Sequence, residues 1–244
     1  MLEPKRIFPT VTVFIAFIIT ILCLFAGTQK NFLENVDLLT LYTPEGSTDS
    51  TAHDFYSVHI MSYCQGTLGA SDPDARVTRN VTECSHRKIL FSFDPTQEWP
   101  VTHDENLEWP RVISDDFHAF RMTTRSMAVL YSIGVGAMGA ALLVKLWTAV
   151  APRAGQGLFE CGFMVLGSLC VNVASIIATV LAFEFVDLIN AHGKGSNVSA
   201  KYGEKLLGMT WAAAGLLLVG SAVCLINTFR PAAPIEKAVD DMEG

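Results

Sequence analysis
Six cysteines, six histidines, one glycine-rich hexapeptide and a few polar residues in apolar surroundings are where this 244-residue chain could do chemistry. Cys64 and Cys84 lie outside the long apolar runs. In an oxidising compartment such a pair reads as a disulfide, and closing that loop is worth roughly 3 kcal/mol in the chain-entropy account. The rival is a metal site in which the pair joins His86 and either His53 or His59. The tight ligand spacing of a metal site is missing, so no metal and no other cofactor is expected. Cys23, Cys161, Cys170 and Cys224 sit in apolar runs and read as small packing residues.

All the histidines (His53, His59, His86, His103, His118 and His192) fall in segments assigned below to one side of a membrane. Imidazole titrates near pH ~6.5, so acidification makes that side less negative, which is the chemistry of an external pH sensor. The plainer reading is that histidine is ordinary in polar loops. Gly134-Val-Gly-Ala-Met-Gly139 matches the dinucleotide fingerprint GxGxxG, with Glu160 beyond it. That fingerprint needs a strand before it and a helix after it. Here the glycines sit midway along an uncharged run. Gly134, Gly136 and Gly139 therefore read as small residues that let helices approach closely, in register with Ser132-xxx-Gly136-xxx-Ala140. Gly162 and Gly167, then Gly215 and Gly220, are expected to do the same on later helices.

Lys145 and Glu160 flank a short hairpin at similar depth. An ion pair is expected, the alternative being that each snorkels to the headgroups alone. Asn172 lies about 18 Å further along by helical rise. It needs a partner there, and a hydrogen bond to another helix is expected. No GxSxG, HExxH, phosphate-loop or kinase pattern occurs, and no carboxylate pair is singled out by spacing. The chain is read as non-enzymatic.

These residues are positioned by four uncharged runs, Ile7–Ala26, Ser126–Val144, Cys161–Phe183 and Leu206–Phe229, of 20, 19, 23 and 24 residues. At about 1.5 Å per residue, each crosses a hydrocarbon core of about 30 Å. Only 17% of the residues are charged, low for a soluble domain. Lys5 and Arg6 ahead of the first run also suit a signal peptide, but the run exceeds a usual signal core and is expected to be retained. The sequons Asn80-Val-Thr82 and Asn197-Val-Ser199 lie in the first and third loops, which share a side, and glycosylation puts that side outside. Arg153, Lys145, Lys5 and Arg6 agree with a positive interior; Lys194, Lys201 and Lys205 run against it. Residues 1–26 are thus the cytoplasmic N-terminus and first helix, 27–125 an extracellular domain, 126–230 helices two to four with short loops, and 231–244 a cytoplasmic tail. Between Gly27 and Arg125 there are 15 Asp/Glu against 8 Lys/Arg, a balance that argues against nucleic acid or anionic lipid as a partner, the plainer reading being a solvated surface.

Within that domain Phe55–Cys64 reads as a strand, with Tyr56, Val58, Ile60 and Ser62 on one face. Lys88–Phe93 is a second strand candidate, and the repeated Glu-Trp-Pro at Glu98–Pro100 and Glu108–Pro110 reads as two extended turns. Ser114–Arg125 reads as a helix with Ser114 as N-cap and Asp115 and Asp116 in its first turn, running straight into the second membrane helix. The fold class is a four-transmembrane-helix bundle with a small α+β extracellular domain between helices one and two.

Three segments carry a family likeness: Phe55-Tyr-Ser-Val-His-Ile-Met-Ser-Tyr-Cys64-Gln-Gly66, Ala174-Ser-Ile-Ile-Ala-Thr-Val180 with Asn190, and Tyr202-Gly-Glu-Lys-Leu-Leu-Gly-Met-Thr-Trp211-Ala-Ala. The chain resembles the fungal Sur-seven/PalI family of claudin-like, four-span plasma-membrane proteins. His59 and Met61 stand where that family often has a Trp, and the tail is short beside that of PalI-type pH regulators. The resemblance implies a plasma-membrane organiser of eisosome-type compartments, acting in cell-wall integrity, endocytosis and stress response. Cys64 and Cys84 match the family's ectodomain cysteine pair. Its expected partners are the lipid bilayer, other membrane proteins or itself through the helices, and cell-wall components. The alternatives are an external pH sensor of the PalI type and an auxiliary subunit of a channel or transporter.

Overall fold
The computed structural model describes residues 4–30, 32–42, 53–69, 78–87, 91, 111–151, 156–192 and 198–229. Among these residues four helices are long and apolar enough to cross a membrane: α1 (Pro4–Phe25), α2 (Arg111–Val150), α3 (Gln156–His192) and α4 (Glu204–Phe229). They pack side by side in the order α1, α2, α3, α4, with α4 returning to α1. At about 1.5 Å per residue, 40-residue α2 and 37-residue α3 outrun a hydrocarbon core of about 30 Å, so both stand clear of it at one end. The expected helix over Ser114–Arg125 does run without a break into the membrane helix. Its start differs. The helix begins at Arg111, so Ser114 is not its N-cap and Asp115 and Asp116 are not in its first turn.

The strands β1 (Leu39–Tyr42), β2 (Phe55–Val58), β3 (Tyr63–Gly69), β4 (Thr78–Cys84) and β5 (Ser199–Tyr202) form one antiparallel sheet, in the order β4-β3-β2-β1-β5. The first four come from the segment between α1 and α2. The fifth comes from the loop before α4 and pairs with β1, Leu39 facing Tyr202 and Leu41 facing Ala200. The third loop thus joins the sheet rather than standing apart from it. Its four residues are too few for alternation to reveal.

The expected strand Phe55–Cys64 is in fact a hairpin. Val58 faces Tyr63, and His59 N–H donates to the Ser62 carbonyl at 2.9 Å. Alternation misleads here because the turn is buried: His59, Ile60, Met61 and Ser62 are each at most 6% exposed. A surface turn advertises itself with Gly, Pro or Asn, whereas this one is made of core residues. Phe91 is buried and stacks on Tyr63; the rest of the Lys88–Phe93 candidate and both Glu-Trp-Pro repeats lie outside the described residues.

Two glycines set the α2–α3 distance. A Cβ on Gly134 would stand 2.7 Å from Val171 Cγ2, and one on Gly167 would stand 3.3 Å from the Gly134 carbonyl. Gly220 does the same between α4 and α1, where a Cβ would meet Thr12 Oγ1 at 2.6 Å. Gly139 only touches the Phe17 ring. Gly136 and Gly215 do not serve helix packing within this chain: both are exposed with open space beside them, as is Gly162. The Ser132-xxx-Gly136-xxx-Ala140 stripe is therefore not the seam. The buried face of α2 runs through Tyr131, Gly134, Met138 and Ala141. Gly134→Leu should cost about 1–3 kcal/mol by overpacking, and Gly136→Leu should stay within about 0.5 kcal/mol, read as unfolding midpoints in detergent.

Candidate functional site
Among the described residues, buried Asp37, Thr40, Ser57, His59 and Ser62 gather where the sheet meets the end of α1. Two residues past the end of α1 stands Gly27, whose φ of +67° is open to glycine and strained for other residues. A Cβ there would also stand 2.2 Å from the His59 ring. The Gly27 carbonyl accepts the Ser62 hydroxyl at 2.8 Å. The buried hairpin tip is thus fastened directly to the end of the first membrane helix. Cys64, two residues on, faces Cys84 across β3 and β4, and the two are joined by a disulfide. With both sulfurs so engaged, neither is a metal ligand.

His59 is 1% exposed. Its Nδ1 donates to the Val36 carbonyl at 2.9 Å, and Nε2 faces Ser57 Oγ at 3.4 Å. Burial holds this imidazole below its ordinary range. The Asp37 carboxylate and the Val36 carbonyl pull upward, and Arg79 adds to the lowering. Asp37 is itself buried; it accepts from the Thr40 hydroxyl and pairs with Arg79 Nη1 at 3.4 Å. Arg79 also donates to Thr40 at 2.8 Å, so β1 and β4 are tied across the sheet by charge. Of the other histidines, His86 and His192 are exposed and His53 is half-buried. His103 and the His118 side chain lie outside the described residues.

At the other end of the bundle Lys145 Nζ lies 3.0 Å from Glu160 Oε1 and 3.2 Å from Oε2. The two expected partners do face each other across the α2–α3 hairpin. Their burial is unequal: the Lys145 side chain is 39% exposed and that of Glu160 10%. Asn172 departs from expectation. It bonds the Ser168 carbonyl of its own helix at 2.8 Å, not another helix, because a short amide one turn on reaches that carbonyl first.

Other polar contacts bridge helices where the sequence gave no signal. Buried Tyr131 Oη meets Ser175 Oγ at 3.1 Å between α2 and α3, and Trp211 Nε1 donates to Thr179 Oγ1 at 3.0 Å between α4 and α3. The Asn190 side chain donates to the Ala200 carbonyl and accepts from the Ala200 N–H, covering the outer edge of β5. The sequon residue Asn80 is exposed on edge strand β4, while Asn197 lies outside the described residues. Cys23, Cys161 and Cys224 are free and buried, and Cys170 is free and half-buried.

A four-helix membrane bundle, capped at one end by a sheet drawn from two of its loops, defines a claudin-like class of protein. The profile of the SUR7/PalI family matches residues 5–223, and the chain belongs to that family. A search among curated proteins finds no match to the chain.

Because His59 is held below its unfolded range near pH ~6.5, the unfolded chain binds the proton more readily. The stability this group contributes is present above pH ~6.5 and is lost as pH falls below it. Unfolding curves of the wild type should therefore weaken between about pH 7 and pH 5 more steeply than those of His59→Gln. For the membrane pair, Lys145→Met should cost about 2–3 kcal/mol by leaving the buried Glu160 carboxylate alone. Glu160→Gln should cost only about 1 kcal/mol, since Lys145 can extend to the headgroups. Chemical unfolding of both variants in the same detergent checks the order.

Proposed function
We propose that this protein is a non-enzymatic organiser of the plasma membrane, serving eisosome-type compartments, cell-wall integrity, endocytosis and stress response. In this reading both termini and residues 231–244 lie in the cytoplasm, with 27–125 outside and glycans on Asn80 and Asn197. The observation that carries the reading is the way polar groups are spent. In the bundle they are used in bonds between helices, such as Tyr131 with Ser175, or within one, such as Asn172 with Ser168, which supports a packing body over a conduction path. Outside, the strands are locked by a disulfide and by an ion pair, which supports a rigid surface held at fixed height above the bilayer. Such a body acts by lateral association through its helices and by contact between its sheet and neighbouring proteins or wall material.

A second reading, an external pH sensor, rests on buried His59 beside Asp37 and Arg79. A channel or transporter subunit is the third, and the local bonding of Asn172 weighs against it. A fluorescently tagged copy separates them. The organiser is expected in stable cortical patches whose recovery after bleaching is slow and unchanged between about pH 5 and pH 7. Patches that dissolve on acidification, and persist in His59→Gln, would favour the sensor. An even distribution over the membrane or confinement to internal vesicles would reject the organiser.

A further inference from the structure
A groove of about 490 Å³ opens between α2 and α3 at the sheet end of the bundle. Ile176, Val180 and Leu181 form its wall, and Thr123 and Glu184 stand at its rim. The stacked rings of Phe120 and Phe185, 4.2 Å apart, also line it. Glu184 ends the uncharged run of α3, so it marks the membrane interface. From Glu184 down to Ile176 is eight residues, or about 12 Å of helix, against about 15 Å for one leaflet's half of the hydrocarbon core. Ile176 and Val180 are 51% and 48% exposed, so this wall looks into lipid rather than into another helix. Water in such a groove would meet few polar partners, whereas a lipid chain meets a matching surface.

The rim decides the headgroup. Glu184 is exposed and has no ion-pair partner among the described residues. A carboxylate at the interface attracts an ammonium and repels a bare phosphate. We propose that this groove is a lipid site. It holds one phospholipid of the leaflet on the sheet's side, with an acyl chain along Ile176 and Val180 and a zwitterionic, ammonium-bearing head over Glu184.

Full-length protein reconstituted in bilayers of equal phosphatidylcholine and phosphatidylglycerol, then weighed intact by native mass spectrometry, tests this. The wild type is expected to retain one phosphatidylcholine in preference to phosphatidylglycerol. Glu184→Gln should cut that preference about fivefold, the size of one exposed charge pair, while total bound lipid stays the same. Val180→Trp, which fills the groove, should remove bound lipid of either kind. Ile133→Trp, exposed on α2 but not lining the groove, should leave it unchanged. Formation of the Cys64–Cys84 bond shows that each variant has folded. The idea fails if the wild type retains no lipid, if Glu184→Gln leaves the preference intact, if Val180→Trp retains lipid as before, or if added sterol takes the phospholipid's place.

Discussion
Inside hydrocarbon a backbone amide finds no partner except its own chain, and the rest of this structure follows from that constraint. It forces each crossing segment into a helix and leaves side chains to decide how helices meet. Lipid tails are as apolar as leucine, so nothing comparable to the hydrophobic effect draws these helices together. Closeness has to come from shape. At Gly134 and Gly167 the absence of a side chain lets α2 and α3 approach until one backbone touches the other, and Gly220 does the same for α4 against α1. Where the helices also share polarity, it takes the form of single bonds such as Tyr131 with Ser175.

Above the membrane the problem reverses. Strands must be held against solvent by a core that is small, and it is shared with the tops of the helices. Val36, Leu38, Leu39, Val58 and Ile60 belong to the same buried cluster as residues of all four helices. The hairpin tip is pressed into that cluster rather than exposed, and its polar atoms are satisfied by Gly27, Val36 and Ser57. Asp37 and Arg79 form a half-buried ion pair that also holds the Thr40 hydroxyl, so few groups near this seam lack company. Sheet and bundle are in this sense one folding unit rather than a domain on a stalk.

Much of this was legible in the residues. Length and the absence of charge found all four helices, because a 20-residue apolar run has few other uses. Depth alone brought Lys145 opposite Glu160. What escaped were features that depend on which way a side chain turns. Gly136 and Gly134 look alike in sequence, yet two residues of rotation put one against lipid and the other against α3. The buried turn at His59–Ser62 carries no turn residue, so the alternation of Phe55–Cys64 ran through it unbroken. Strand β5 is too short to announce itself, and the Asn190 side chain that covers its edge reads as an ordinary helix-end polar residue. The place of His59 could not be read either, since burial of a histidine is a property of its neighbours.

Strand β5 gives the molecule an unusual mechanical wiring. It leads directly into α4 and is clamped to the end of α3 by Asn190, yet it is hydrogen-bonded to β1, which follows α1. A rock of the later pair of helices against α1 therefore cannot be absorbed by a slack loop. It must either shear the β1–β5 ladder or carry the whole sheet with it. Any neighbour that tilts these rods would thus reorient the outward face, and a load on that face would be shared among three rods instead of hanging from one.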